Sequence, residues 1–399
     1  MDEKFWYKIW QVALLFAVIA MLAASLVVQS SNLSSADVRE ILANHGLSDD
    51  GVDQGWPVDR SIRPELVAIS ELKTAPADET HATYAPAVAA PIERSDQRTF
   101  DVSIESVEGV CPLDPETGTT TEKWGFRIAG DTGVTCGSPG PILRGRVGDV
   151  VNITFSNLQG NKLPHNIDFH AITGQGGGAP DLTVLPGETG TIQVRLLYPG
   201  AFMYHCDYGD VPSHIAHGMF GMFIVDPETP LPRVDAEWAI MQSEWYVGEP
   251  ADNGEAPYDA GAVLREDATF VTFNGRTDAL TGDNALRMEV GDRARIYFVN
   301  HGLALNSNFH PIGSQWDLVY PEAATHAANR VIRGSQTTLV PSGGATVVEL
   351  DALVPSTIRL VDHALGRTFY KGATGTIIVS GDKQPELFNV LQPATPTEH

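Results

Sequence analysis

Residues 204–225 read YHCDYGDVPSHIAHGMFGMFIV, a ligand-rich segment followed by an apolar, strand-like run. Within it His214 follows Cys206 by eight residues, and Met219 follows His214 by five. This spacing closes one loop around a single ion, and His165 in an upstream strand-like segment offers a second imidazole. Two imidazoles, a thiolate and a weak thioether form the ligand set of blue-copper electron-transfer sites, whereas zinc sites seldom include methionine. The alternative is a buried free cysteine beside a core methionine, and each of these is common on its own.

Strand parity separates a second group of ligands from the first. Successive side chains of a strand point to opposite faces, so His205 points away from Cys206. His165 and His170 are five residues apart and face opposite ways, whereas Asp168 and His170 are two apart and share a face. Two histidines beside a carboxylate predict a catalytic metal site that needs one more ligand. The alternative is a pair of core histidines in a structural hydrogen-bond network.

The chain repeats itself over a long interval. Residues 146–157 (RVGDVVNITFSN) resemble residues 289–300 (EVGDRARIYFVN), and residues 218–225 resemble residues 372–379. The offsets of 143 and 154 residues indicate a duplicated domain, because solenoid repeats have periods of about 20–50 residues. Short β-branched runs separated by Gly, Pro and Asp predict an all-β fold of two Greek-key sandwiches or barrels.

The second copy contains no cysteine and therefore cannot hold a blue-copper site. It keeps His310 and His363 in segments analogous to the ligand-bearing ones. His363 is the natural third imidazole for the group of His170 and His205. Three histidines with one open position are typical of catalytic rather than structural metal sites.

Composition excludes several classes of function. The 399 residues carry 50 acidic and 26 basic side chains, a net charge of -24, and 43% of them are hydrophobic. Such an acidic chain is a poor partner for nucleic acid, which binds clustered cations. Three cysteines without a C-x-x-C motif exclude zinc ribbons, c-type haem attachment and thioredoxin-like sites.

The N-terminus predicts export of most of the chain. Residues 9–28 are apolar and uncharged, long enough for a transmembrane anchor, and Lys4 and Lys8 precede them. A cleaved signal segment is the alternative. In either case the remaining chain is extracytoplasmic, either periplasmic or on the outer face of the cytoplasmic membrane. Residues 29–97 are expected to form a stalk or linker that includes an Ala- and Pro-rich spacer.

Two further cysteines lie before the ligand-bearing segments. In an exported protein Cys111 and Cys136 are candidates for a disulfide, and two inert thiols are the alternative.

Over residues 100–380 the chain resembles the copper-containing nitrite reductases. The resemblance rests on HNIDFH from residue 165, YHC…HIAHGM from residue 204, FHPIG from residue 309 and VDHALGRTF from residue 361. It implies a homotrimer of chains with two tandem cupredoxin domains, at 98–228 and 229–381, followed by a C-terminal tail at 382–399.

The resemblance also implies one type 1 and one type 2 copper per chain. The implied type 1 ligands are His165, Cys206, His214 and Met219. The implied type 2 ligands are His170 and His205 of one subunit and His363 of the next. The implied catalytic pair is Asp168 and His310, with Ile312 lying over the substrate.

The implied reaction is the one-electron reduction of nitrite to nitric oxide, a step of denitrification. A small donor protein, either a c-type cytochrome or a cupredoxin, would reduce the type 1 copper. The electron would then pass through the bond between Cys206 and His205 to the type 2 copper. Asp168 and His310 would supply the two protons as general acids.

Two other functions compete with this one. A two-domain multicopper oxidase needs paired His-x-His motifs for its trinuclear cluster, and the sequence contains none. A membrane-tethered cupredoxin that only carries electrons has no use for the second group of histidines and Asp168.

Overall fold

The computed structural model describes residues 63–394. The predicted anchor at 9–28 and the stalk as far as residue 62 lie outside the described residues. Among residues 63–394 no helix has the length and apolar character needed to cross a membrane.

The first domain is a sandwich of two five-stranded sheets, with strand orders β1-β3-β6-β8 (β4 adds to β3) and β2-β5-β10-β9-β7. Its strands are β1 (Lys73–Thr74), β2 (Ala82–Thr83), β3 (Arg98–Asp114), β4 (Thr119–Ile128), β5 (Ile142–Arg146), β6 (Val150–Asn157), β7 (Asp168–Phe169), β8 (Thr189–Arg195), β9 (Gly200–His205) and β10 (Phe220–Asp226).

The second domain has a six-stranded sheet, β12-β11-β14-β19-β16-β17, and a five-stranded sheet, β13-β21-β20-β15-β18. Its strands are β11 (Ala236–Trp245), β12 (Phe270–Phe273), β13 (Leu286–Glu289), β14 (Arg293–Asn300), β15 (Ser307–Ile312), β16 (Trp316–Tyr320), β17 (Ile332–Ser335), β18 (Thr338–Val340), β19 (Ala345–Asp351), β20 (Ser356–Asp362) and β21 (Thr374–Ser380). The described helices are α1 (Val211–Ala216), α2 (Ala260–Leu264) and α3 (Leu365–Lys371), with 3₁₀ turns at Ile69–Glu71, Gln175–Gly178, Gly282–Asn284 and Pro321–Ala323.

The duplication seen in the sequence is present in the strand pairing. β6 runs parallel to β3 and antiparallel to β8, and β14 runs parallel to β11 and antiparallel to β19. Likewise, β10 pairs with β5 and β9 as β21 pairs with β13 and β20. The repeated segments therefore occupy equivalent places, and the prediction of a duplicated all-β domain is confirmed.

The two sandwiches differ in how their equivalent strands are buried. In β6 the side chains of Val151, Ile153 and Phe155 are buried and alternate with more exposed polar ones, as expected for a strand with one core face. In β14 both faces are buried. Phe298 packs in the second domain's core, whereas Tyr297 packs in a cluster shared with the first domain.

The described end of the predicted stalk corrects the sequence interpretation. β1 pairs with β3 and β2 pairs with β5, so residues 73–83 extend both sheets of the first sandwich. Arg94 binds the carboxylates of Glu79 and Asp149, and His81 stacks on Phe100 at 3.7 Å between ring centroids. These pairings are with distant strands, which local composition does not reveal. Residues 73–94 therefore form a strap on the first domain rather than a free spacer.

The Cys111 and Cys136 side chains are joined in a disulfide. It ties β3 to the loop that follows β4.

Arg144 connects the strap and both domains. Its side chain is 1% exposed and donates two hydrogen bonds to Asp226, one to Glu237 and one to the Ala89 carbonyl. Burial alone would raise the pKa of Glu237, but the guanidinium groups of Arg144 and Arg295 outweigh it and lower the pKa. Glu237 therefore stays ionised inside the interface.

Replacing Arg144 tests this connection. Arg144→Met leaves the buried Asp226 carboxylate without its cation, so we expect the free energy of unfolding at neutral pH to fall by about 3 kcal/mol. Because the pKa of Glu237 is lowered in the folded state, its contribution is lost as the pH falls through that pKa. The difference in the free energy of unfolding between the variant and the parent should therefore shrink as the pH falls, as measured by urea unfolding.

Arg293→Met is the matched control, because Arg293 pairs with Asp351 at a partly exposed position. Its loss should cost at most about 1 kcal/mol. Equal destabilisation by the two substitutions would contradict the role given to Arg144.

Candidate metal centres

The first candidate centre forms where the chain leaves the end of β9. Cys206 follows the last residue of β9, α1 carries His214 in its last turn, and Met219 precedes β10. The Cys206 amide donates to the Met219 carbonyl at 3.2 Å, and the Met219 amide donates to the His214 carbonyl at 3.2 Å. His165 lies on the segment before β7 and pairs with Val184. Backbone hydrogen bonds thus close the predicted loop.

Three donor atoms face one another in this centre. Cys206 Sγ lies 3.2 Å from His214 Nδ1 and 4.0 Å from His165 Nδ1, and the two nitrogens are 3.3 Å apart. All three residues are buried. Two ring nitrogens and a sulfur that converge in this way fit a single bound cation. The soft sulfur and the two imidazoles favour copper among the common metals.

The electrostatics of the buried donors agree with metal binding. Burial raises the pKa of the Cys206 thiol to about 11 and lowers the pKa of His214 to about 4. The imidazole is therefore neutral at neutral pH, which is its ligand form. The thiol becomes a thiolate only when a cation supplies compensating charge.

Glu108 orients one of these ligands and was missed by the sequence analysis. The His165 Nε2–H donates to Glu108 Oε1 at 3.0 Å, which leaves the Nδ1 lone pair for the ion. The Lys162 and Leu163 amides also donate to this carboxylate. Glu108 lies on β3, 57 positions before His165, and no local signal connects the two.

Asn166 is a second residue that the sequence analysis did not assign. The side-chain Oδ1 of Asn166 accepts a hydrogen bond from the Asp207 backbone amide at 2.6 Å. The backbone nitrogen of Asn166 lies 3.5 Å from Cys206 Sγ. These contacts hold the backbone on both sides of the sulfur.

The second candidate centre is built around His205, the last residue of β9 and the neighbour of Cys206. β7 pairs with β9 so that Asp168 lies opposite His205. His170 Nε2 and His205 Nε2 are 3.2 Å apart, and Asp168 Oδ2 is 3.8 Å from His205 Nε2. His205 Nδ1–H donates to the Cys206 carbonyl at 3.1 Å, so its Nε2 carries the free lone pair. The structure thus brings together the three residues that strand parity grouped.

Burial shifts the pKa values of both the carboxyl group and an imidazole of this centre. It raises the pKa of Asp168 despite the two neighbouring imidazoles, and it lowers the pKa of His170 with a further contribution from His205. Neutral imidazoles suit metal ligation, and a carboxyl group that keeps its proton at higher pH suits proton donation.

The candidate residues of the second domain lie apart from this centre within one chain. His310 on β15 and His363 just after β20 have ring centroids 5.1 Å apart. His310 Nδ1–H donates to the Gln336 carbonyl, while His363 and Ile312 are exposed. Among residues 63–394 neither histidine joins the cluster of Asp168, His170 and His205. Their assignment to a shared site stays a prediction.

His217 lies inside the ligand loop, between His214 and Met219, and is buried beside the ligands. It is 6% exposed and lies flat against Trp124, with ring centroids 3.7 Å apart. Trp124 in turn contacts the ring of the ligand candidate His214. The ligand pattern carried no signal for Trp124, which lies on β4.

Comparisons with known proteins find copper proteins. Residues 113–229 match the family model described as "Multicopper oxidase". A solved multicopper oxidase with 22% identity and a TM-score of 0.55 covers 71% of this chain and 89% of its own, and it shares the fold. The copper nitrite reductase from Nitrosomonas europaea has 33% identity and a TM-score of 0.61, covering 72% of this chain and 96% of its own.

Curated relatives match over both domains. The copper-containing nitrite reductase of Pseudomonas chlororaphis is 32% identical over 314 residues, covering 74% of this chain and 82% of that protein. The copper-containing nitrite reductase of Neisseria meningitidis serogroup A is 40% identical over 306 residues, covering 76% of each protein. On this similarity, and with both donor sets in place, the chain belongs to the copper-containing nitrite reductases.

Proposed function

We propose that this chain reduces nitrite to nitric oxide by one electron, NO₂⁻ + 2H⁺ + e⁻ → NO + H₂O. The observation that carries the proposal is that the two donor sets contain the adjacent residues His205 and Cys206, at the end of β9. One copper bound at each would supply one-electron redox chemistry and a Lewis acid for the anion. The bond between the two residues joins an electron-accepting site to a nitrite-binding site.

The proposal gives different tasks to the two sets of residues. His165, Cys206 and His214, with Met219 beside them, hold the electron-accepting type 1 site. His170 and His205 hold the type 2 site, where nitrite binds.

Two side chains move the protons. Asp168 lies beside the type 2 ligands with a raised pKa, so it can hold a proton and donate it to the bound substrate oxygen. His310, whose Nδ1–H is held by the Gln336 carbonyl, donates the second proton from Nε2 as an imidazolium. Ile312 lies exposed on the same strand and covers the substrate with an apolar surface.

The type 2 site is completed by a neighbouring subunit in a homotrimer. Two imidazoles leave a catalytic site one ligand short, and His363 is an exposed imidazole on the second domain. The helix α3 directly after it exposes Leu365, Phe369 and Tyr370, the last with 88% of its surface. Exposed apolar side chains grouped on one helix indicate a protein interface. A ring of three chains would place each His363 at the next chain's type 2 site.

The protein works outside the cytoplasm, held at the membrane by residues 9–28. The disulfide between Cys111 and Cys136 supports an oxidising compartment, and Lys4 and Lys8 orient the apolar segment for export. Its electron donor is a small extracytoplasmic protein, either a c-type cytochrome or a cupredoxin.

The direct test of the reaction is release of nitric oxide. The copper-loaded full-length chain, given nitrite and a reduced artificial donor without oxygen, should release nitric oxide in step with nitrite consumed, as followed with an electrode. Copper analysis should give two ions per chain, where an electron carrier would give one and an oxidase four.

Cys206→Ser is the matched variant for this test. It should lose the strong visible absorption while keeping the type 2 copper, because only one donor set has changed. If the parent protein held two coppers per chain but released no nitric oxide, the proposed reaction would be refuted. If the Cys206→Ser variant kept the visible absorption, the role of Cys206 would be refuted.

Replacing Asp168 tests proton donation. Asp168→Asn should keep both coppers but slow turnover by about 100-fold or more, the scale of lost general-acid catalysis. In the parent protein the rate should fall as the pH rises through the raised pKa of Asp168, because the donor must be protonated. Asp168→Asn should lack this part of the pH profile. The exposed Asp101→Asn serves as control, and equal rates for the two variants would exclude the role.

Mixed oligomers test the shared site. His170→Ala and His363→Ala should each lose the type 2 copper, because each removes one imidazole ligand. When the two variants are co-expressed with different tags, each mixed trimer should regain one intact interface and with it part of the activity. Mixing His170→Ala with His205→Ala should restore nothing, because both changes lie in the same domain. Failure of the first mixture to regain activity would contradict a site between subunits.

A further inference from the structure

Three aromatic rings form a continuous stack beside the Cys206 centre. Trp124 and His217 lie 3.7 Å apart between ring centroids and are 4° from parallel. Tyr258 adds a third ring, with its centroid 4.4 Å from that of His217 and its plane tilted by 43°. At its inner end the Trp124 ring lies 4.9 Å from the His214 ring and 6.1 Å from the His165 ring. The stack therefore reaches both imidazoles of the candidate type 1 site.

Both domains contribute to the stack and hold it in place. Trp124 and His217 belong to the first domain, and their backbones are joined by a 2.9 Å hydrogen bond from the Trp124 amide to the His217 carbonyl. His217 Nδ1–H donates to the Ser213 carbonyl at 2.7 Å, which fixes the ring plane. Tyr258 comes from the second domain, two residues before α2, and is half-buried at the outer end.

The packing of the stack leaves one polar atom unpaired. The Trp124 Nε1–H is buried and has no hydrogen-bond partner among the described residues, and a buried donor left unpaired costs about 1–3 kcal/mol. The contact between the rings is therefore kept at some cost at Trp124.

Acidic groups surround the outer end of the stack. Asp210 and Asp259 lie near the Tyr258 hydroxyl, whose pKa is raised first by burial and then by these two carboxylates. Glu122 lies near His217, and Glu255 adds another carboxylate beside Lys162.

Cations offset only part of this charge. Lys162 pairs with Glu122 and Arg265 with Asp259, both at exposed positions. Asp210 and Glu255 have no ion pair among residues 63–394. Together with the net charge of -24, this rim attracts a positively charged partner.

We propose that electrons enter the protein through the stack of Tyr258, His217 and Trp124, and that the acidic rim docks a small one-electron carrier with a lysine- or arginine-rich face. The inference rests on the proposed function, since it requires a type 1 copper at Cys206. In the step the carrier is oxidised by one electron and that copper is reduced by one, with no bond or proton exchanged. The rings act as a tunnelling bridge, because electronic coupling decays more slowly across aromatic rings in contact than across aliphatic groups.

A pair of substitutions at His217 separates ring contact from every other role. His217→Phe and His217→Leu both lose the hydrogen bond to Ser213, but only the first keeps an aromatic ring between Trp124 and Tyr258. The copper-loaded full chain is mixed without nitrite with a reduced, lysine-rich mitochondrial-type cytochrome c, and loss of the visible copper band is followed by stopped flow. The Leu variant should lower the limiting rate at saturating cytochrome by roughly an order of magnitude, and the Phe variant should keep it.

The visible spectrum and the midpoint potential of the copper distinguish a tunnelling bridge from a change in the copper site itself. Both should be the same in the two His217 variants and the parent, because a tunnelling bridge leaves the copper site unchanged. Equal rates in the parent and both variants, an equal loss in both variants, or a shifted potential would each overturn the inference. A parent protein without any visible copper band would instead refute the type 1 site and therefore the proposed function.

The acidic rim has its own test. The double variant Asp210→Asn, Asp259→Asn should lower the second-order rate constant with cytochrome c by about tenfold at low salt, with the difference disappearing at high salt. It should also weaken binding of oxidised cytochrome c to the metal-free protein in calorimetry. Asparagine still suits the start of α2, where Asp259 accepts a hydrogen bond from Ala262. The control pair Asp101→Asn, Asp283→Asn removes equal charge elsewhere, and an equal effect from the control pair would overturn docking at the rim.

Discussion

The alternation of side chains along β9 determines both metal centres. Because neighbouring residues of a strand point to opposite faces, His205 and Cys206 serve different sites although one peptide bond joins them. A slip of one residue in register would exchange the two faces. β9 is held against that slip by β10 on one side and β7 on the other, with Asp168 aligned to His205. The sheet register therefore decides which histidines meet, and it keeps the two sites as close as covalent structure allows.

The second domain contains no cysteine, but it packs beside the Cys206 centre of the first domain. Its strand β14 is buried on both faces, so the duplicated sandwich is fixed as a rigid neighbour rather than a loosely tethered module. Arg144 anchors the strap and β11 at one side of this interface, while Tyr258 extends across the other toward Trp124. The second domain, which contains no cysteine, thus presents the exposed His363 and packs Tyr258 against His217 near the first centre.

Sequence reasoning succeeded where the physics is local. Loop spacing grouped Cys206 with His214, which depends only on residues near in the chain. Strand parity separated His165 from His170, although only Asp168–Phe169 of that segment form a strand. Glu108 and Trp124 were missed because β3 and β4 bring them to the ligands from about 40 residues or more away. The strap was taken for a spacer for the same reason, since its pairing partners are distant. The proposed role of His363 depends on a contact between chains, which no single-chain pattern contains.

The shifted pKa values of Cys206 and His214 explain how the fold can form before the metal binds. With the pKa of Cys206 raised to about 11 and that of His214 lowered to about 4, the donors are neutral at neutral pH and need no ion to be buried. The ionised Glu108, whose pKa is lowered by His165 and by backbone amides against the opposing effect of burial, already fixes one imidazole. His165, Cys206 and His214 would hold a copper ion as a preorganised set, and binding would be coupled to release of the thiol proton. Metal affinity should thus strengthen as the pH rises, while the sandwich around it stays unchanged.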